Sequence, residues 1–238
     1  MKILIAALLC VTSIVTKAQT VEEVIQKYST ALGGLSAFNN VKSAKMTGTI
    51  TTAGKTFPLT TQLINGKAMR TDVVAVGQQV INVYNDGKGW KINPFANAPT
   101  ATDVTGAELI SFKAQSSLAN HLADYKKRGH QVELLGQEPV NGINTYKVKL
   151  VNKDDGKTTI YYIDANSFLL IKSTSKREIS GEEYDAETLY TDIREINGLK
   201  FCMHITVTAL GKPYQEISYE KIELNVPVDE KIFIRPKS

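Results

Sequence analysis

Two periodicities divide this chain. Over residues 21–32 the apolar positions Val21, Val24, Ile25, Tyr28 and Leu32 recur at helical spacing. Thr20 stands ahead of them as an N-cap with Glu22 and Glu23 in the first turn, and Gly33-Gly34 ends the pattern. A further helical turn is predicted over 35–41. From Ser43 the period changes to two. Residues 45–51, 56–64, 68–76 and 78–84 are short, rich in Thr and Val, and separated by Gly54, Gly66 and Gly77. Such spacing predicts an antiparallel meander, because parallel strands need long crossovers.

The stretch 84–95 organises the middle of the chain. Asn85-Asp86-Gly87 tolerates positive φ and predicts a hairpin turn. Trp90, Lys91 and Ile92 resume the strand, Asn93-Pro94 breaks it, and Phe95 follows. Residues 96–103 then read as a loop. Over 102–127 the positions Leu109, Phe112, Leu118, Leu122 and Tyr125 make an apolar stripe that weakens at Ser116, so one or two helices are expected at about 104–127, stopped by Gly129. Strand patterning returns at 145–151, where Tyr146, Val148 and Leu150 alternate with Lys147 and Lys149. It continues through 158–163, 167–177, 183–195, 200–210 and 214–224. A sheet of roughly ten sequentially adjacent strands must curl. The expected fold is therefore mainly β, of the α+β class. A single large curved antiparallel sheet is plugged by the N-terminal helix and lidded by the central ones.

The first residues change the picture of where this fold works. Lys2, an apolar run to Val15 and the small residues Thr16 and Ala18 predict a signal peptide over 1–18, and residues 19–238 then form a single domain. No later stretch approaches the ~20 apolar residues of a membrane-spanning helix. Those first residues hold Lys2 and Lys17 but no acid, so the remainder keeps a net charge of +2 against +4 for the whole chain. That balance, without a basic patch interleaved with aromatics, gives no reason to expect a nucleic-acid partner. Of the two cysteines only Cys202 lies beyond residue 18, so core burial rather than a disulfide is expected to hold the exported domain.

Enzyme signatures are sparse. Gly54-Lys55-Thr56 and Gly156-Lys157-Thr158 resemble phosphate-loop fragments, but Thr49 and Val151 stand where the upstream glycine belongs. There is no GxSxG, HExxH or CxxC motif. His121, His130 and His204 show no paired spacing. His121 and Asp124 lie three apart, as an ion pair or an acid/base pair would. The expectation is a protein that is not an enzyme, with no cofactor, no catalytic residue and no metal site.

One stretch carries a resemblance. Gly66-Lys67-Ala68-Met69-Arg70, followed by Asn85-Asp86-Gly87-Lys88-Gly89-Trp90-Lys91-Ile92-Asn93-Pro94-Phe95, looks like the periplasmic carriers that sort outer-membrane lipoproteins, the LolA-like family. A branch of that family is also similar at Ala31-Leu32-Gly33-Gly34 and at Lys42-Ser43-Ala44-Lys45-Met46-Thr47-Gly48. The resemblance implies a half-open barrel with an apolar cavity for acyl chains. It further implies a periplasmic monomer that meets an inner-membrane loading complex and an outer-membrane acceptor, and Leu9 before Cys10, where a lipobox needs a small residue, leads to the expectation that the protein is not lipidated. In the family an arginine before a proline latches the lid. Here those positions read Asn65-Gly66, so the latch is absent or rebuilt.

The expected cavity residues follow from both readings. Leu109, Phe112, Leu118 and Leu122 would form the lid face. Met69, Trp90 and Phe95 would line the mouth, and Phe57, Leu59, Phe168, Phe201 and Met203 the floor. The alternative is an envelope binding or scaffold module that keeps the fold and fills its concavity with its own side chains.

Overall fold

The computed structural model describes residues 19–179 and 181–236; the expected signal peptide lies outside the described residues. The chain opens with α1 (Val21–Ala31) and α2 (Leu35–Asn40). Six strands follow: β1 (Ser43–Thr52), β2 (Lys55–Ile64), β3 (Ala68–Ala75), β4 (Gln78–Asn85), β5 (Lys88–Asn93) and β6 (Ala98–Val104). Helices α3 (Gly106–Gln115) and α4 (Tyr125–Arg128) come next. Seven further strands complete the sheet: β7 (Gln131–Val140), β8 (Ile143–Val151), β9 (Thr158–Asp164), β10 (Leu170–Ile179), β11 (Glu182–Ile196), β12 (Leu199–Ala209) and β13 (Lys212–Leu224).

All thirteen strands belong to one antiparallel sheet in the order β6-β5-β4-β3-β2-β1-β13-β12-β11-β10-β9-β8-β7. Two meanders are thus stitched together by β1 and β13. At that seam Gly48 sits beside a register shift, and a Cβ on it would stand 2.0 Å from the Ser218 carbonyl oxygen. Only glycine permits the strands to close there. The sheet curls: Tyr84 of β4 and Met203 of β12, separated by four strands, share one core cluster with Phe38 of α2 and Phe112 of α3 between them.

Two strands exceed the sequence-based expectation. Residues 98–104, read as loop, form β6, and residues 131–140 form β7. Both are edge strands.

The helices fill the concave side. Thr20 and Glu23 form a capping box, Thr20 Oγ1 accepting from Glu23 N at 3.2 Å and Glu23 Oε2 accepting from Thr20 N at 3.0 Å. The helix so fixed buries Val24, Ile25 and Tyr28 against Val148, Leu150, Tyr161 and Ile163 of β8 and β9. Gly33, at φ +106°, lets the following turn rest on the β11–β12 hairpin, where Lys200 N donates to the Leu32 carbonyl at 2.9 Å. On the convex side the C-terminal turn (Glu230–Phe233) covers β3–β5, with Phe233 packed among Ala68, Ile81, Val83 and Trp90.

Candidate functional site

The concave faces of β1–β4 and β13 are not filled along their whole length. At the end carrying the β1–β2 and β3–β4 turns they enclose an open cavity of about 690 Å³. Its walls are Ile50 of β1, Phe57 and Leu59 of β2, Val73 of β3, Val80 of β4, and Ile217 and Tyr219 of β13. Gln115, the last residue of α3, closes the inner side, and Lys55, Asn93 and Gln215 add polar groups at the lip. The volume falls in the range of small-molecule sites, and Thr52, Thr61, Thr71 and Asn82 stand among the apolar side chains of the wall. Two exposed apolar side chains stand in its lining: Val76 is 72% exposed and Phe95 58%. Alternation explains the wall, because Phe57, Leu59, Thr61 and Leu63 project to one face of β2.

Further along the same face the concavity closes. Met69, Phe112, Phe201 and Met203 are buried in one cluster with Leu63, Tyr84 and Ile222, and Leu109 and Leu118 pack against it. Leu122 belongs to the second cluster beneath α1, where Phe168 stacks on Tyr146 with ring centroids 5.9 Å apart. The twelve expected cavity residues therefore separate into groups. Phe57, Leu59 and Phe95 line the open cavity; Leu118 and Phe201 also border a smaller apolar cavity of about 230 Å³ beneath α1 and α2; Met69, Leu109, Phe112, Leu122, Phe168 and Met203 are built into closed packing.

Trp90 lies on the opposite, convex face. Its Nε1 donates to the Phe233 carbonyl at 3.1 Å, and the Arg70 guanidinium stands over its ring at 5.9 Å. The register is set by Gly89 and Lys91, which take the concave side of β5. A Cβ on Gly89 would stand 2.9 Å from Leu109 Cδ1, and Lys91 Nζ donates to both carboxylate oxygens of Glu108 at 2.8 Å.

The lid is held by ties on three sides. Lys91–Glu108 joins α3 to the first meander, and Lys113–Asp154 at 2.9 Å joins it to the β8–β9 turn. Both are partly exposed ion pairs, worth up to ~1 kcal/mol each. The third tie is the Asn65-Gly66 pair. Asn65 Oδ1 accepts from Leu118 N at 3.0 Å, Gly66 N donates to the Ser116 carbonyl at 2.8 Å, and Asn65 Nδ2 donates to the Phe38 and Val41 carbonyls at 2.9 Å each. A neutral amide thus fastens both α2 and the segment after α3 to the β2–β3 turn, at the two positions where a cationic latch was looked for. Ser116 caps α3, its Oγ donating to the Lys113 carbonyl at 2.7 Å. The central helical stretch accordingly splits there into α3 and α4.

The titratable residues do not gather at the cavity. Cys202 is half-buried, its Sγ donating to the Thr191 and His204 carbonyls, and burial pushes the thiol up to about 11. Such a group is a poor nucleophile. His204 is engaged by Ser218 Oγ at 2.8 Å and Thr206 Oγ1 at 3.2 Å. It does not join His121 and Asp124, which line a separate pocket on the lid. Among the described residues no group of three His, Cys, Asp or Glu stands where it would share a metal ion.

One antiparallel sheet curled into an open barrel around a few helices is a LolA-like fold, and this chain has that fold. A LolA superfamily protein from Nitrosomonas europaea superposes with a TM-score of 0.62 at 12% identity, over 91% of this chain and 98% of that one. A DUF1329 family protein from Desulfovibrio piger gives 0.61 at 13%, over 90% and 97%. A domain assigned to outer membrane lipoprotein sorting from Vibrio parahaemolyticus gives 0.58 at 11%, over 90% and 95%. No family model matches the sequence, and no curated protein does.

Proposed function

We propose that this protein is a periplasmic carrier that takes acyl chains of a lipid or lipoprotein into the concave cavity and moves them between membranes. The observation that carries the reading is the open apolar cavity beside the end of α3, rimmed by exposed Val76 and Phe95. Exposed apolar side chains gathered at a cavity mouth are expected where a ligand or membrane is met. No covalent chemistry is needed. Each methylene buried contributes about 0.8 kcal/mol in the protein and nearly the same in a bilayer, so loading stays reversible. The weak ion pairs and neutral amide latch suit a lid that opens. No helix among the described residues is long and apolar enough to cross a membrane. The relative assigned to lipoprotein sorting supports the same reading at the level of fold. An inner-membrane loading complex and an outer-membrane acceptor would be its partners, met by a monomer.

The closed packing of Met69, Phe112, Phe201 and Met203 favours a second reading, an envelope module that keeps the fold and needs no cargo. Photo-crosslinking in the native host separates the two. A crosslinker replacing Phe57 is expected to capture lipid or lipoprotein, while one at exposed Glu22 captures none. Adducts only to the protein's own strands at position 57 would contradict the carrier reading.

A further inference from the structure

On the far side of α3 from the apolar cavity lies a second, polar pocket of about 530 Å³, between α3, α4 and the β8–β9 turn. Its back wall holds two imidazoles, nine residues apart in the chain. The rings of His121 and His130 lie with centroids 4.9 Å apart and planes inclined at 31°, because Gly129 at φ +74° turns the chain back after α4. His130 is 7% exposed. Its Nδ1 accepts from Lys153 N at 3.1 Å, so the proton of the neutral ring sits on Nε2. That Nε2–H is buried and has no acceptor, and the Nε–H of Arg128 beside it has none of hydrogen-bond geometry. Of the five buried side-chain polar atoms without a partner between His121 and His130, among the described residues, Asp124 Oδ1 is an acceptor and Tyr125 lies outside the pocket's lining, which leaves the N–H groups of His130 and Arg128 as its unpaired donors. A buried donor left unpaired costs about 1–3 kcal/mol, so this concentration calls for a partner.

Charge identifies the kind of partner. Lys113 reaches in from α3, Lys127 and Arg128 from α4, and Lys153 from the β8–β9 turn. Two acids of the pocket are already engaged, Asp124 by Arg128 at 3.5 Å and Asp154 by Lys113 at 2.9 Å. Lys127 and Lys153 have no ion pair among the described residues, and Asp155 is the remaining acid near the imidazoles. A cation would meet this excess of positive charge, whereas an oxyanion would find ammonium groups and N–H donors. We propose that the pocket is a binding site for a phosphate-type oxyanion. Lys127 and Lys153 supply its charge recognition, and His130 Nε2–H lies at its base. The site is independent of the acyl cavity and stands whether or not that cavity carries cargo.

Proton linkage adds a signature. Burial and the Arg128 charge push His121 down to about 4 and lower His130 as well. A bound anion offsets Arg128, Lys113, Lys127 and Lys153 around the rings and adds to Asp154 and Asp155. Binding therefore takes up protons and tightens as pH falls. Sulfate isolates this protein term, since its own charge is constant across the range in which imidazole titrates.

The test is imidazole ¹⁵N NMR of the purified protein, titrated with inorganic phosphate, sulfate and, as a control, chloride. A saturable shift of the His130 Nε2 resonance with phosphate and sulfate, and none with chloride, is expected. The doubly substituted Lys127→Ala, Lys153→Ala protein changes only exposed side chains, and should bind about tenfold more weakly or worse. Lys55→Ala, at the other end of the sheet, should bind normally. Dihexanoyl phosphatidic acid against dihexanoyl phosphatidylcholine resolves the source. Preference for the phosphatidic acid over inorganic phosphate assigns the site to a lipid phosphomonoester, and equal affinity assigns it to free phosphate. The absence of a saturable shift, or a shift that survives the double substitution unchanged, overturns the site.

Discussion

The two meanders of one continuous sheet treat their concave faces in opposite ways. In β7–β12 the face is largely filled: α1 inserts Val24, Ile25 and Tyr28, and Leu122 and Tyr125 close over Val148, Leu150 and Ile163, leaving only about 230 Å³ beside Tyr28, Tyr190 and Phe201. Burial drives the hydroxyls of Tyr28 and Tyr161 far above the usual tyrosine range, as a dry interior would. In β1–β6 the same alternation produces an apolar face, yet no helix occupies the end lined by Phe57, Leu59, Val73 and Val80. An apolar strand face alone therefore does not say whether it will be core or cavity. The supply of helical filler decides that, and α1, α2 and α3 suffice for only part of the concavity.

The largest effect that would sharpen this contrast is on stability. Ile163→Ala empties a fully buried position in the filled half and is expected to cost about 3 kcal/mol in urea unfolding, with acyl-chain affinity unchanged. Loss of ligand affinity in that variant would erase the distinction between the halves. Next comes the tie between them. Asn65→Ala removes an acceptor from Leu118 N and a donor from two carbonyls, which should cost about 2 kcal/mol. Hydrogen exchange at the Leu118 amide should accelerate more than at Ile163, and equal acceleration would mean the amide does not latch the lid. Phe57→Ala, in the open half, is expected to weaken acyl-chain binding about tenfold, some 1.4 kcal/mol, while moving the unfolding midpoint little. A large stability loss there would show that the cavity wall is core.

At neutral pH the smallest effect, because it develops only in acid, is on the lid's polar cluster. His121 titrates at about 4 in the folded protein and near 6.5 in the unfolded chain, because burial and Arg128 disfavour its cation. Between those values the unfolded state binds the extra proton, so stability is complete above about pH 6.5 and declines as pH falls toward 4. The slope should be on the order of 1 kcal/mol per pH unit, and His121→Gln should flatten it.

Much of the fold was legible in the sequence because glycine turns and period-two alternation mark strands buried on one face. What escaped was β6 and β7. As edge strands they pair on one side only, and Ala98-Pro99-Thr100-Ala101-Thr102-Asp103 carries none of the apolar alternation that marks interior strands. The site was less legible. Phe57 and Met69 have equally apolar neighbourhoods in sequence, and only the three-dimensional reach of α3 leaves one beside open space and the other in the core. Trp90 was assigned to the mouth, but period two gives a strand two faces without naming them, and the C-terminal turn that claims Trp90 lies 143 residues away. The Asn65 latch was invisible because a neutral amide carries no motif. The His121–His130 pair depends on a left-handed turn at Gly129, which was read only as a stop.

Methyl NMR of Ile-, Leu- and Val-labelled protein, titrated with a short-chain phospholipid below its micelle concentration, would locate the acyl-chain site in one half of the sheet or the other. The methyls of Leu59, Val73, Val80 and Ile217 should shift saturably while those of Val148, Leu150 and Ile163 stay in place. Shifts confined to the second set, or none in the first, would contradict an acyl-chain site in the open half of the sheet.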